Sequence, residues 1–144
     1  MRNLSDFHFG RGVKVYRGLN NTSPENVDFN DIGPHWSQDR QAAEDWVTGV
    51  ARGRDGKPEA QLSVKGNGVV LEGKVRKKHT STPSTFVGEK ETTVAPGATV
   101  KVKKVHTLAV KENTDDFNTA SVISSKKVNK KAKVIERPRR AYGK

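Results

Sequence analysis

Three short clusters in the chain contain the residue types that could carry out chemistry. In chain order they are Tyr16-Arg17-Gly18, His35-Trp36-Ser37 and Glu89-Lys90-Glu91. An arginine offers a fork of donors suited to phosphate oxygens, and a fixed serine hydroxyl can hold a ribose in position. A carboxylate beside a sugar stabilises the positive charge that develops when its glycosidic bond breaks. Together the clusters predict a site that binds a dinucleotide pyrophosphate, holds a ribose and stabilises a cationic sugar.

The element that presents the arginine is predicted to be a β-strand. Val13 and Val15 alternate with polar neighbours, which is the period of a half-buried strand. The same alternation places Arg17 on the face of Val13 and Val15. A charge on an apolar face needs a partner, so we expect either a carboxylate or an anionic ligand beside Arg17.

A helix is predicted after the second cluster, over residues 39–50. Its apolar positions at helical spacing are Ala42, Ala43, Trp46, Val47 and Val50. Ser37 or Asp39 is the predicted N-cap, and Gly49 or Gly53 the predicted stop. Strands are predicted at 61–65, 69–75 and 99–105, with short ones at 107–110 and 133–136. Residues 76–87 are predicted to form a surface loop that leads into Glu89.

Composition limits the class of protein. At 144 residues the chain has the size of one domain with a core of its own. It has no cysteine, which excludes disulfides and thiolate sites, and its four histidines lack metal-ligand spacing, so we assign no metal. No apolar run approaches the roughly 20 residues that span a bilayer, and no signal peptide is evident. We therefore expect a monomer without membrane contact in the cytoplasm, including a host-cell cytoplasm, or packaged in a virion.

The net charge of +11 is concentrated near the C-terminal end. Residues 124–144 contain nine Lys or Arg and one Glu, a net charge of +8, which leaves +3 for residues 1–123. This shift predicts a domain over residues 1–123 followed by a basic tail over 124–144. Such a tail attracts polyanions, so nucleic acid is an expected partner.

Taken together, the three clusters resemble the motifs of small mono-ADP-ribosyltransferases of the Arg-Ser-Glu (Glu-x-Glu) class, bacterial-toxin-like or phage-encoded. The resemblance covers roughly residues 12–106 and includes the Pro96-Gly97 turn after Glu91. It implies an α+β fold with an ADP-ribosyltransferase-type core of two packed, mainly antiparallel sheets and a flanking helix. It also implies NAD as co-substrate, bound in a cleft between the sheets, and makes residues 1–123 the catalytic domain.

The resemblance assigns the NAD-binding roles. Arg17 would contact the NAD phosphates, and the backbone at Gly18 would approach the nicotinamide amide. Ser37 would hold the catalytic glutamate and the ribose in register. Trp36, beside it, is a further candidate for cofactor binding.

The resemblance assigns the catalytic and acceptor-binding roles to the third cluster and to the residues just before it. Glu91 would bind the ribose and stabilise the cationic centre, while Glu89 would orient and deprotonate an acceptor arginine. Phe86, three residues before Glu89, would contact the target protein. The expected activity is transfer of ADP-ribose from NAD to arginine side chains of a protein, with release of nicotinamide. One departure is that the Ser-Thr-Ser motif of the family is here Ser37-Gln38-Asp39.

Simpler interpretations remain open for each candidate. Arg17 could form a structural ion pair, Ser37 could only cap the helix, and Trp36 could belong to the core. Glu89 and Glu91 could be edge-strand charges that discourage aggregation. At the level of function, the alternatives are a basic nucleic-acid-binding or virion-associated protein without catalysis, and an NAD glycohydrolase.

Overall fold

The computed structural model describes residues 12–30, 32–64, 66–81 and 91–134, with the backbone only at positions 81, 91 and 92. The strands are β1 (Gly12–Asn20), β2 (His35–Ser37), β3 (Val50–Arg52), β4 (Pro58–Gln61), β5 (Gly68–Arg76), β6 (Thr80–Ser81), β7 (Glu91–Val94), β8 (Thr99–Lys111) and β9 (Thr119–Lys133). In these ranges there is one α-helix, α1 (Arg40–Thr48), and there are short 3-10 turns at Pro24–Asn26 and Lys77–His79. None of the helical segments described has the length and apolar character required to cross a membrane.

The described strands form a seven-stranded sheet in the order β6-β7-β2-β1-β5-β8-β9 and a separate two-stranded sheet, β3-β4. The ladders between these strands are antiparallel. The described chain is therefore of the α+β class, with mostly antiparallel sheets and one helix.

One narrow joint divides the large sheet into two halves. β1 and β2 pair at a single position, Tyr16 opposite Ser37, whereas β1 and β5 pair over nine positions. β7 and β8 are linked by a tight turn at Ala95–Ala98, although three strands, β2, β1 and β5, lie between them in the sheet. Because so short a link cannot follow the flat width of the sheet, the two halves curl toward each other.

The main core lies inside this curl. Its buried members are Val15, Ile32, Trp36, Val69, Leu71, Val75, Val94, Ala98, Val100, Val102, Val105, Ala132 and Val134. Backbone hydrogen bonds from Gly97 to Val134 (2.8 Å) and from Val134 to Ala98 (2.9 Å) close one end of it. Gly97 adopts a left-handed conformation (φ 87°), which explains the glycine in this turn.

Helix α1 packs on the other face of the sheet. Ala43 and Val47 are buried against Val70 and Leu108. The predicted caps are confirmed: the Asp39 side chain accepts from the backbone N–H of Gln41, and Gly49 ends the helix with φ 81°.

Trp46 differs from the prediction, which placed it on the apolar face of this helix. Its side chain is 69% exposed. Trp46 follows Ala43 by three residues but directly precedes Val47, so it lies at the margin of the buried stripe rather than at its centre.

The C-terminal strands are longer than the sequence predicted. β8 continues to Lys111, and β9 occupies residues 119–133, so the predicted tail boundary at Ser124 falls inside a strand of the sheet. β9 forms an edge of the sheet, and few of its side chains face the core. The apolar signal in its sequence is therefore weak, although Val128, Ala132 and the following Val134 pack on the main core.

We expect Gly18→Ala to destabilise the protein. A Cβ at Gly18 would overlap the carbonyl oxygen of Ala43 and lie 2.9 Å from its carbonyl carbon and 3.1 Å from the Cβ of Trp46. Displacing α1 should lower the free energy of unfolding by about 1–3 kcal/mol, as overpacking does, measured by urea unfolding. Gly12→Ala in the same strand is the control, since its nearest new contact is 3.2 Å away; equal losses in both variants would contradict the packing role of Gly18.

Candidate functional site

The sheet brings the three sequence clusters onto neighbouring strands. Tyr16 of β1 lies opposite Ser37 of β2, and Ser37 lies opposite the backbone of Glu91 in β7. Residues directly opposite in an antiparallel ladder are in contact range on one face. Three motif positions that span more than seventy residues of sequence from first to last therefore form one row across three strands. We call this row, Tyr16-Ser37-Glu91, the motif row.

Arg17 lies next to the motif row, on the opposite face of β1. It is half-buried and aligned with the main-core residue Leu71 of β5. The Nη1 atom donates a hydrogen bond to the backbone oxygen of His35 in β2, and Gly33 approaches the guanidinium closely. Arg17 thus joins β1 to β2 where the ladder between them consists of one residue pair.

Ser37 holds the start of α1 in place. The side chain is 7% exposed, and its Oγ accepts from the backbone N–H of Asp39 at 2.9 Å. Asp39 in turn caps the helix. The structural role that the sequence offered as an alternative is therefore present, with Asp39 rather than Ser37 as the N-cap.

Trp36 belongs to the main core. Its side chain is 2% exposed, and its Nε1–H donates to the backbone oxygen of Gly33 at 3.1 Å. A ring buried to this degree does not reach a ligand at the surface. The core interpretation therefore replaces the predicted cofactor contact.

A shallow pocket of about 210 Å³ lies at the C-terminal end of β1. It is lined by Gly18, Leu19, Asn20, Thr22 and the exposed Trp46. The side chain of Asn20 donates to the backbone oxygen of Trp46 at 3.5 Å, which ties this rim of the pocket to α1. Sequence reasoning missed Trp46 because its spacing matched the apolar stripe; its position next to Val47 at the stripe margin was the available signal.

For three predicted site residues the structure describes a backbone at most. Glu89 and Phe86 lie outside the described residues, and of Glu91 the backbone is described. Their predicted roles stay predictions.

A polar network that the sequence did not reveal crosses the sheet between β5, β8 and β9. His106 is 4% exposed, and its Nδ1 lies 2.7 Å from the Oγ of Ser125. Its Nε2 lies 2.9 Å from Oε1 of Glu72. Cross-strand register brings these residues together from positions far apart in the chain, which spacing alone cannot show.

Glu72 is electrostatically stabilised as a carboxylate. Burial by itself would raise the pKa of Glu72, but the hydrogen bond from His106 and the charges of His106, Lys14 and Lys104 outweigh that effect. The pKa therefore lies below its ordinary value of 4.5. The Nζ of Lys14, on β1, is 3.8 Å from Oε2 of Glu72.

Comparison of the chain with protein-family models, with curated proteins and with solved structures found no match.

We expect the acid sensitivity of the fold to depend on Glu72. Because its pKa is lowered by folding, its contribution to the free energy of unfolding is fully present above its unfolded pKa and is lost as the pH falls through the folded value. Urea unfolding between about pH 3 and pH 7 should show a shallower acid loss in Glu72→Gln than in the wild type. Glu112→Gln, at an exposed position after β8, is the control. Superimposable profiles for Glu72→Gln and the wild type would contradict this role.

Proposed function

We propose that the protein transfers a single ADP-ribosyl group from NAD to arginine side chains of a protein target. The observation that carries the proposal is the motif row, because Tyr16, Ser37 and Glu91 align on adjacent strands. The sequence resemblance requires its first, second and third clusters to meet at one site, and the observed register is consistent with that. Nothing in composition or local pattern imposes this alignment.

The bond that breaks is the glycosidic bond between nicotinamide and ribose C1. In the proposed reaction nicotinamide leaves with the bonding electron pair, and the sugar becomes oxocarbenium-like. Glu91 supplies the carboxylate that stabilises this cation, and Ser37, held by its hydrogen bond to Asp39, positions the ribose. Arg17 fixes β2 through its hydrogen bond to the backbone oxygen of His35. Its contact with the NAD phosphates is expected from the sequence resemblance alone, because its side chain lies on the other face of β1 from the motif row.

The pocket beside Gly18 suits a planar ring of NAD. Trp46 presents an exposed indole at its rim, and aromatic faces favour offset stacking on other rings. The backbone at Gly18 adjoins the same pocket. We assign the nicotinamide ring to this pocket, whose nearest lining residue on β1, Gly18, is two positions from Tyr16 of the motif row.

Glu89 decides which acceptor is used. An arginine guanidinium must be held and lose a proton as its nitrogen bonds to ribose C1, and a second carboxylate two residues before Glu91 is suited to that task. Phe86 is the proposed contact with the target protein. Transfer to water instead would make the protein an NAD glycohydrolase, so the acceptor is the point to test.

The experiment measures labelled ADP-ribose from NAD on an arginine-containing polypeptide and, in the same samples, nicotinamide release. We expect Glu89→Gln to lower transfer by about 100-fold or more, in the range typical of a lost general base, while nicotinamide release persists. Lys90→Gln is the matched control because the proposal gives Lys90 no role. Nicotinamide release by the wild type without any label on the polypeptide would contradict transfer and indicate hydrolysis.

A further inference from the structure

A dense array of cations lies on the sheet face that α1 only partly covers. Four lysines occupy directly opposite positions across four strands, Lys14 of β1, Lys74 of β5, Lys101 of β8 and Lys131 of β9. Lys104 and Lys127 form a second opposite pair on β8 and β9. Because alternate residues of a strand share a face, Arg76 of β5 and Lys133 of β9 also lie on this side of the sheet, two positions after Lys74 and Lys131. We call these eight residues the lysine face.

Their shared orientation follows from the core on the other side. Val15, Val75, Val102 and Ala132 are buried in the main core, and each directly adjoins a residue of the lysine row. Because successive side chains point to opposite faces of a strand, the row points away from that core. Lys104 is half-buried and the other seven members are exposed.

The lysine face is electrostatically unfavourable in the free protein. Like charges directly opposite each other on neighbouring strands destabilise a sheet, and the row contains three such pairs in succession. Glu72 is the carboxylate that the described strands place among them, and it is engaged by His106 and Lys14. Eight cations against this one carboxylate give the nine residues a net charge of +7, a concentration of positive charge that attracts polyanions.

We propose that the lysine face binds the phosphate backbone of a nucleic-acid duplex. Neighbouring strands are about 4.8 Å apart, so the row, which crosses four strands, spans roughly 14 Å. A duplex carries about one phosphate charge per 1.7 Å of its axis, which lets several phosphates meet a surface of this size. The interaction is independent of base sequence, because lysines contact phosphates rather than base edges.

Other anionic partners fit the lysine face less well. Single strands are bound by stacking bases on aromatic side chains. Tyr16, the aromatic residue two positions after Lys14 on β1, is half-buried and packs against Ala43, Val47, Val70 and Leu108. Interfacial binding to lipid needs apolar side chains that insert. The exposed large apolar residues of the described chain, Trp46, Leu62, Val122 and Ile123, are not members of the face.

The lysine face lies only partly within residues 124–144, the tail in which the composition predicts the nucleic-acid contact. Lys127, Lys131 and Lys133 lie within the predicted tail of residues 124–144, but they are part of β9 and point to the same side as cations of β1, β5 and β8. The binding surface is therefore a face of the sheet. It does not depend on the proposed transferase activity.

The test measures the affinity of the full chain for a DNA duplex of about 20 base pairs at several salt concentrations. The row variant combines Lys14→Gln, Lys74→Gln, Lys101→Gln and Lys131→Gln. The matched control removes the same charge elsewhere, with Arg54→Gln, Lys57→Gln, Lys78→Gln and Lys111→Gln at exposed positions. A tail variant combines Arg137→Gln, Arg139→Gln and Arg140→Gln.

We expect the wild type to bind the duplex with a steep salt dependence. The row variant should reduce the slope of log K against log salt by roughly 3.6, since it removes four lysines and each phosphate contact contributes about 0.9. The matched control should change the slope by less than about 0.9, the contribution of one phosphate contact. Urea unfolding should show the row variant to be about as stable as the wild type, because the relief of three like-charge pairs offsets the lost ion pair between Lys14 and Glu72. Equal stability separates lost binding from lost folding.

Several results would overturn the proposal. These are no duplex binding by the wild type, equal losses in the row variant and its matched control, or binding abolished by the tail variant and unchanged in the row variant. Tighter binding to a single strand of the same sequence, or to vesicles of anionic lipid, would also contradict a duplex-binding face. An RNA duplex in parallel shows whether the preference extends to A-form helices.

Discussion

The joint between β1 and β2 is the constraint on which the rest of the structure depends. It consists of one residue pair, Tyr16 opposite Ser37, and the hydrogen bond from Arg17 to the backbone oxygen of His35. A shift of one residue in a strand register moves every side chain to the other face. Such a slip between β1 and β2 would separate Tyr16 from the Ser37–Glu91 pair of the motif row and would move Trp36 out of the main core. The position of the candidate site and the closure of the core therefore depend on the same contact.

The alternation in β8 has a second consequence, which concerns charge. Val100, Val102 and Val105 fill the main core, so Lys101 and Lys104 between them are directed to the opposite face. The same period-two pattern in β1, β5 and β9 aligns further cations with them. One simple pattern thus provides both an apolar interior and a basic exterior, and α1 covers only the part of that exterior around Val70 and Leu108.

Local signals were enough to predict some of these features. The phase of β1 placed Arg17 on the face of Val15, and the caps Asp39 and Gly49 followed from side-chain and backbone chemistry within a few residues. β9 could not be predicted in this way, because it is an edge strand whose core contacts come from only a few apolar residues. The alignment of Ser37 with Glu91 and the network around His106 depend on long-range register, which one sequence does not encode in its spacing.

The most direct test of the central claim is nicotinamide release from NAD by the full chain, compared between the wild type and Glu91→Gln. If the motif row forms the reaction site, the wild type releases nicotinamide and Glu91→Gln lowers the rate by about 100-fold or more, the loss typical of one electrostatic group. Glu112→Gln, exposed and distant in sequence from the clusters, should retain the wild-type rate. No release by the folded wild type, or equal rates in the wild type and Glu91→Gln, would contradict the account.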